Sequence, residues 1–270
     1  MKLEPASVAR RVLVAGAGPA GLEVARVAAL RGHRVTIYEQ SDTLGGQFHL
    51  ASLPPRKQEI SAYLRYLRRQ LDHLCVEIVW GKALTAARVA EADPDVVIVA
   101  TGSRPFIPAM TGIDAENVVT AHDVLAGKAR VGERVLVVGG GQVGCETAEF
   151  LDKNGKQVTI IEQQSELAAD VAKVPRDSLL HSLRQTDVKA VTSARIVEIT
   201  ADGVRMERGG RHEALGGADS IVLALGVTPD SGLADEIADT VPEIHVLGDA
   251  RRPGSALDAI AAAAEIGRQI

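Results

Sequence analysis

The chain has 270 residues, 46% hydrophobic and 24% charged, with a formal net charge of −5. This is the composition of a folded globular chain of one large or two modest domains, and its acidic balance argues against a nucleic-acid surface. Two cysteines are too few for a disulfide framework, an iron–sulfur cluster or a structural zinc site, no apolar run nears the roughly 20 residues of a membrane span, and the opening MKLEPASVARR lacks the apolar core of a signal peptide, so a cytoplasmic protein with no metal, membrane or nucleic-acid partner is expected.

The run RVLVAG, ending at Gly16, is nearly continuous in apolar residues and predicts a strand buried on both faces of a parallel sheet. Gly16, Gly18 and Gly21 follow with G-x-G-x-x-G spacing. In this pattern one glycine makes a tight turn, one lets a pyrophosphate approach bare backbone, and one lets helix pack closely on strand. A helix from Ala20 to about Leu30 then points its N-terminal N–H groups at the phosphate, and Gly32 can end it. The next strand, RVTIYEQ, carries Glu39, a carboxylate placed to accept the two hydroxyls of an adenosine ribose. Strand, turn, helix and acid agree, which favours a dinucleotide site over a mere tight turn.

After this unit, PPRKQEISAYLRYLRRQLDHL predicts a helix with a solvated charged face, and CVEIVWG a strand opened by Cys75. DPDVVIVATGSRP predicts a further buried strand. Then Val135–Phe150, VLVVGGGQVGCETAEF, repeats Val12–Val27, VLVAGAGPAGLEVARV, at a constant offset of 123 residues, with eight of sixteen positions identical. The second copy keeps every part: Gly139, Gly141 and Gly144, a helix ended by Asn154 and Gly155, and the strand QVTIIEQ with Glu162. One dinucleotide needs one such crossover, so two intact copies predict two dinucleotides. Glu23 and Glu146 recur at matching helical positions, where a carboxylate suits the positive end of a helix.

Beyond the second copy, PRDSLLHSLRQ predicts a helix, and ARIVEIT with GVRMER a β-hairpin turning on Asp202-Gly203. DSIVLALGVTPD parallels DVVIVATGSRP. The late strand in EIHVLGDA is spare for the second unit and returns most simply to the first sheet; the helix SALDAIAAAAEIGRQI follows it. The expectation is an α/β fold of two Rossmann-like dinucleotide-binding domains, the second inserted into the first: residues 1–110 with 227–270, and residues 111–226. Pro105, Pro108 and Gly112 mark one link and Pro229 and Gly232 the other.

Together GAGPAG, GGGQVG, VIVATG and HVLGDA resemble the two-dinucleotide-binding-domain flavoproteins, the glutathione-reductase-like group. More narrowly, LGGQFHLASLPPRKQEI, NVVTAHDVLAG and VGCETAEFL look like the C-terminal half of the old-yellow-enzyme-related reductases and demethylases, the family of 2,4-dienoyl-CoA reductase, enoate reductases, trimethylamine dehydrogenase and N-methyl-amino-acid demethylases. The resemblance implies FAD in the first domain and NADH in the second, hydride passing from NADH to FAD, and electrons going on to an FMN/iron–sulfur barrel, a partner or an acceptor. It implies FAD contacts from Gly16, Gly18, Pro19, Ala20 and Gly21, from Glu39 and Gln40, from Gly45, Gly46 and Gln47, from Ala83, from Ala100, Thr101 and Gly102, and from Gly248, Asp249 and Leu257. It implies nucleotide contacts from Gly139, Gly141, Gln142, Val143, Gly144, Glu162 and Gly226.

The barrel and its cluster cysteines are not in this sequence. The region LGGQFHL also lacks the C-x-x-x-x-C pair of disulfide reductases, which removes dithiol chemistry. No side chain stands out as a catalytic acid, base or nucleophile, and none as a metal ligand, so the chemistry is that of the cofactors. Cys75 and Cys145 read as packing residues, and His49 as a solvated or backbone-bonded histidine. The rival reading is an ADP- or nucleotide-binding structural module of an amine dehydrogenase, as in relatives with a degraded second fingerprint; the intact one here favours the enzyme.

Overall fold

Short runs of branched aliphatic residues, each followed by a glycine turn and a helix, set the order of elements in the computed structural model, which describes residues 3–270. Met1 and Lys2, at which the expected first domain begins, lie outside the described residues. The chain runs through β1 (Arg11–Ala15), α1 (Pro19–Leu30), β2 (Arg34–Glu39), α2 (Gln47–Leu50), α3 (Gln58–His73), β3 (Glu77–Trp80), α4 (Ala86–Ala92), β4 (Val96–Val99) and β5 (Ser103–Pro105). Next come β6 (Val118–Thr120), α5 (Ala121–Leu125), β7 (Arg134–Val138), α6 (Gln142–Lys153), β8 (Gln157–Ile161), α7 (Lys173–Leu183), β9 (Lys189–Val191), β10 (Ala194–Thr200), β11 (Gly203–Arg208), β12 (Arg211–Leu215) and β13 (Ser220–Leu223). Then follow β14 (Val227–Pro229), α8 (Gly232–Glu236), β15 (Glu243–Val246), a 3-10 turn at Gly248–Ala250 and α9 (Ala256–Gln269).

Two compact units result. One comprises the segment up to Ser52 with Lys57–Arg104 and Val227–Ile270; the other comprises Leu53–Arg56 and Pro105–Gly226. Leu53–Arg56 belongs to the second, where the Arg56 guanidinium meets the buried Glu149 carboxylate at 2.8 Å.

In the first unit the sheet order is β15-β4-β1-β2-β3, all parallel. β1 and β4 lie in the middle, and Val12, Val14, Val96 and Ile98 are fully buried, as a strand covered on both faces requires. β15 extends the sheet beside β4, with Ile244 opposite Val97, so the late strand does return to the first sheet. Helices α1, α3 and α9 share one core cluster with these strands, through Leu22, Leu67, Leu71 and Ala263 among others. α9 starts at a capping box in which Ser255 and Asp258 satisfy each other's backbone N–H.

In the second unit the sheet order is β6-β13-β7-β8-β9, again all parallel. An antiparallel sheet, β10-β11-β12, accompanies it. The sequence predicted two of its strands but placed the turn at Asp202-Gly203. Thr200 in fact pairs with Gly203, so the loop is Ala201–Asp202. Gly203 serves a different end: a methyl group there would lie 2.0 Å from the Leu215 carbonyl oxygen of β12.

Two further expectations change. The helix predicted from the prolines onward starts only at Gln58, because Arg56 adopts a left-handed backbone, φ 65°. Cys75 does not open a buried strand; it is exposed, at φ 54°, just after the C-cap Leu74. A left-handed residue there ends α3 and lets Val76 N–H donate to the Leu71 carbonyl at 3.0 Å.

Candidate nucleotide sites

The repeated segments fold into the same hydrogen-bond pattern. Gly16 N–H donates to the Tyr38 carbonyl at 2.8 Å, and Gly139 N–H to the Ile161 carbonyl at 2.9 Å. A methyl group at Gly21 would lie 2.0 Å from the Gly16 carbonyl oxygen, and one at Gly144 would lie 1.9 Å from that of Gly139. Gly16 abuts the Ala100 carbonyl, and Gly139 that of Ala224, in the same way. These glycines let the helix start sit on the strand end, the packing role the motif requires. Gly18 differs: a methyl group there would meet nothing within 4 Å, so this side of the turn is open backbone.

Both acids are buried and held ready. Glu39 accepts from Ala17 N–H at 2.8 Å with one oxygen, and from Ser41 N–H and hydroxyl at 2.8 and 2.9 Å with the other. Glu162 accepts from Gly140 N–H at 2.6 Å and from Gln164 N–H at 2.7 Å. Charge-assisted bonds of this kind fix the carboxylate's orientation.

In the first unit distant segments meet at the turn. Gly45 N–H donates to the Ala17 carbonyl at 2.8 Å. Gly46, at φ 50°, lies 3.8 Å (by its methyl position) from Gly18 Cα, and Gly248 packs against Ala20. Gln47 Nε2 donates to the Ser103 hydroxyl at 2.6 Å and to its carbonyl at 3.1 Å, and the Ser103 hydroxyl donates to Asp249 at 3.3 Å. The other Asp249 oxygen accepts from Gly254 N–H at 3.1 Å. Thr101 and Gly102 sit at the end of β4, where Gly102 adopts φ 81°. Lys82 N–H donates to the Glu39 carbonyl at 2.9 Å, which brings the exposed Ala83 loop beside Glu39 and Gln40. Pro19 opens α1, and Leu257 stands 75% exposed on the first turn of α9. In this unit sequence reasoning missed Ser103 and Ser41; Ser103 directly follows Gly102, and only the structure shows what it ties together.

In the second unit a cavity of about 210 Å³ is lined by Gly139, Gly140, Gly141, Glu162, Gly226 and their neighbours. Gln142, Val143 and Gly144 form the first turn of α6 beside it, with Val143 exposed. Ala224 and Leu225 also line it, the counterparts of Ala100 and Thr101 in the first unit. Glu166 and Asp170 add two more carboxylates, and among the described residues no lysine or arginine is in the lining. The two helical glutamates do more than complement a dipole. Glu23 makes a two-point ion pair with Arg26, at 2.7 and 2.8 Å, and Glu146 accepts from Gln142 Nε2 at 3.0 Å.

The arrangement fits the groups that the motifs imply. Two glycine turns lie at helix N-termini, the first open and the second faced by Asp170, each with a pre-oriented carboxylate of the kind that accepts ribose hydroxyls. FAD fits the first, where the Gln47–Ser103–Asp249 chain extends the site beyond the fingerprint. Cys145 is fully buried, and burial pushes its thiol up to about 12, well away from redox use.

The model of the family described as pyridine nucleotide-disulphide oxidoreductase matches residues 10–263. The chain is 37% identical over 275 residues to an NADH oxidase of Thermoanaerobacter brockii, covering 100% of this chain and 42% of that protein. It is 36% identical over 247 residues to a bilirubin reductase of Mediterraneibacter gnavus, covering 92% of this chain and 38% of that protein. A 2-naphthoyl-CoA reductase solved with 2-naphthoyl-CoA superposes with a TM-score of 0.96 at 33% identity, over 100% of this chain and 41% of that one. The chain thus spans about two fifths of the length of these relatives. Among the described residues no helix is long and apolar enough to cross a membrane. Both the sites and the likenesses lead to one assignment: the chain belongs to the pyridine nucleotide-disulphide oxidoreductase family of flavoproteins, whose cofactors are FAD and NAD(P)H.

Proposed function

We propose that the chain is the electron-entry module of a longer flavoprotein oxidoreductase, with FAD in the first unit, NADH in the second, and hydride passing from NADH to FAD. The observation that carries this is the duplicated geometry: two strand–turn–helix–acid sites with matching hydrogen bonds, of which the first alone is extended by Gln47, Ser103 and Asp249. When bound, FAD supplies the two-electron acceptor for the hydride of NADH. The residues bind and orient. Glu39 and Glu162 receive ribose hydroxyls, the turns at Gly18 and Gly141 receive pyrophosphates, and Gly46, Gln47 and Asp249 border the flavin end of the first site. We assign no acid, base or nucleophile to either site.

The nucleotide is NADH rather than NADPH, since the carboxylates lining the second cavity repel a 2′-phosphate. Electrons leave for an FMN/iron–sulfur barrel, a partner or an acceptor outside this chain, in keeping with relatives more than twice its length. The enzyme type is then an NADH:flavin oxidoreductase, a dienoyl-CoA or enoate reductase, or an N-demethylase. We place the protein in the cytoplasm, which supplies NADH. Two measurements test the reading. Heat should release FAD, identified by chromatography, and NADH should bleach the flavin absorbance anaerobically. Release of ADP alone from protein supplied with FAD would instead favour a structural nucleotide module.

A further inference from the structure

The two glycine turns differ in one respect that the repeat does not explain. The first residue of α1 is Pro19, which has no N–H, and Gly18 faces open space. The first residue of α6 is Gln142, and its N–H donates to both carboxylate oxygens of Asp170, at 3.1 and 3.2 Å. A methyl group at Gly141 would lie 3.0 and 3.3 Å from those same oxygens. The second turn is therefore faced by a carboxylate of its own chain, at the end of α6 where a pyrophosphate binds.

The segment that brings Asp170 there is anchored on the turn itself. Ala168 is fully buried in a left-handed backbone, φ 51°, and its N–H donates to the Gly140 carbonyl at 2.7 Å. The Leu167 side chain occupies the space above Gly140, and its carbonyl accepts from Arg176 Nε at 3.0 Å. A non-glycine residue in this conformation persists only where its surroundings hold it. Asp170 is thus set against the turn from a fixed base on either side of Ala168.

We propose that Asp170 is an internal competitor for the pyrophosphate of the nucleotide, and so sets the affinity of the second site. This rests on the nucleotide reading of that site. The N-terminal N–H groups of α6 can be shared by only so much negative charge. A pyrophosphate arriving at Gly141 must displace the Asp170 carboxylate from Gln142 N–H or bind beside it at a repulsive distance. Either route weakens the bound nucleotide, and hence favours departure of NAD⁺ after hydride transfer. Small anions that cannot use the Glu162 end of the cavity are opposed by the same carboxylate.

ADP-ribose carries the pyrophosphate without reducing the flavin, which makes it the probe. It should be titrated calorimetrically into FAD-loaded wild type, D170N and D170A. Removing the charge should tighten binding by about three- to tenfold, the size of an ordinary net hydrogen bond, since Asp170 is exposed and its charge is screened by solvent. KM for NADH should fall with no rise in kcat. A merely structural role would not produce a gain in affinity. If NADH bleaches the wild-type flavin but both variants bind ADP-ribose no more tightly, the Asp170 proposal alone falls. If ADP-ribose binds none of the three and NADH leaves the flavin oxidised, the nucleotide reading falls with it.

Discussion

On the proposed reading, Glu162 concentrates the choice between the two pyridine nucleotides in one side chain. Its carboxylate is fixed by Gly140 and Gln164, so it cannot turn away from an added phosphate without breaking both bonds. At about 5 Å and an effective dielectric near 20 the repulsion is roughly 3 kcal/mol per unit charge before salt screening. Even a third of that is several-fold discrimination. Glu162→Arg should therefore shift flavin reduction rates from NADH toward NADPH, and equal wild-type rates with the two nucleotides would sink the assignment. The cysteines make a contrasting prediction. Burial holds the Cys145 thiol in its protonated form at neutral pH, which suits packing rather than nucleophilic chemistry. Cys145 Sγ contacts the Gly140 carbonyl at 3.3 Å, next to the nucleotide turn, and its loss would be felt as packing. Replacing Cys75 and Cys145 together by alanine should leave NADH-driven flavin reduction within a few-fold; a hundredfold loss in folded protein would reveal a redox thiol.

Among the elements, α9 is the one whose place could not be read from its own residues. The strands and helices of the repeat were legible because turn, helix and acid follow within a few tens of residues. The packing of α9 on α1 joins positions more than 200 residues apart, and alanine-rich helices carry little information about their neighbours. The third strand of the antiparallel sheet, β12, was hidden for another reason: RHEAL is mostly exposed and polar, without the aliphatic run that marks its partners. Gly267 shows how tight the helix contact is. Alanine is normally better than glycine inside a helix by about 1 kcal/mol. Here its methyl group would lie 2.8 Å from Val27 Cβ and 2.9 Å from Val27 Cγ1, on a fully buried, branched side chain that cannot swing aside. Overpacking of this kind costs roughly 1–3 kcal/mol and outweighs the propensity gain. Gly267→Ala should lower the stability of the FAD-loaded protein in urea by about 1 kcal/mol; a variant as stable as the parent would mean that α9 shifts on α1 at little cost.

For the molecule as a whole, the glycines, acids and Asp249 of the two proposed sites stand out in the sequence because nucleotide binding depends on backbone shape and a few fixed charges. Ser103 was not visible, since it acts through Asp249, far along the chain; Asp170 lies only 28 residues past Gln142, but no fingerprint spacing marks it, and it follows the buried, left-handed Ala168 that binds the turn. The chain covers about two fifths of the relatives it matches, and its Gly45–Leu50 segment, a glycine turn running into α2, carries Gln47 and Phe48 rather than a cysteine pair. On the proposed reading, the two electrons that NADH gives to the flavin pass on to a group outside this chain. The isolated chain should accordingly be a competent but incomplete enzyme. NADH should bleach its flavin and a dye or quinone should reoxidise it, giving steady diaphorase turnover that Glu162→Arg moves from NADH to NADPH. An enoyl or N-methyl substrate should not turn over until a barrel with FMN and an iron–sulfur cluster is added in trans. The two assays belong side by side on one preparation. Substrate turnover by this chain alone, with FAD as the only bound flavin, would locate a substrate site within these 270 residues and overturn the division of labour proposed for it.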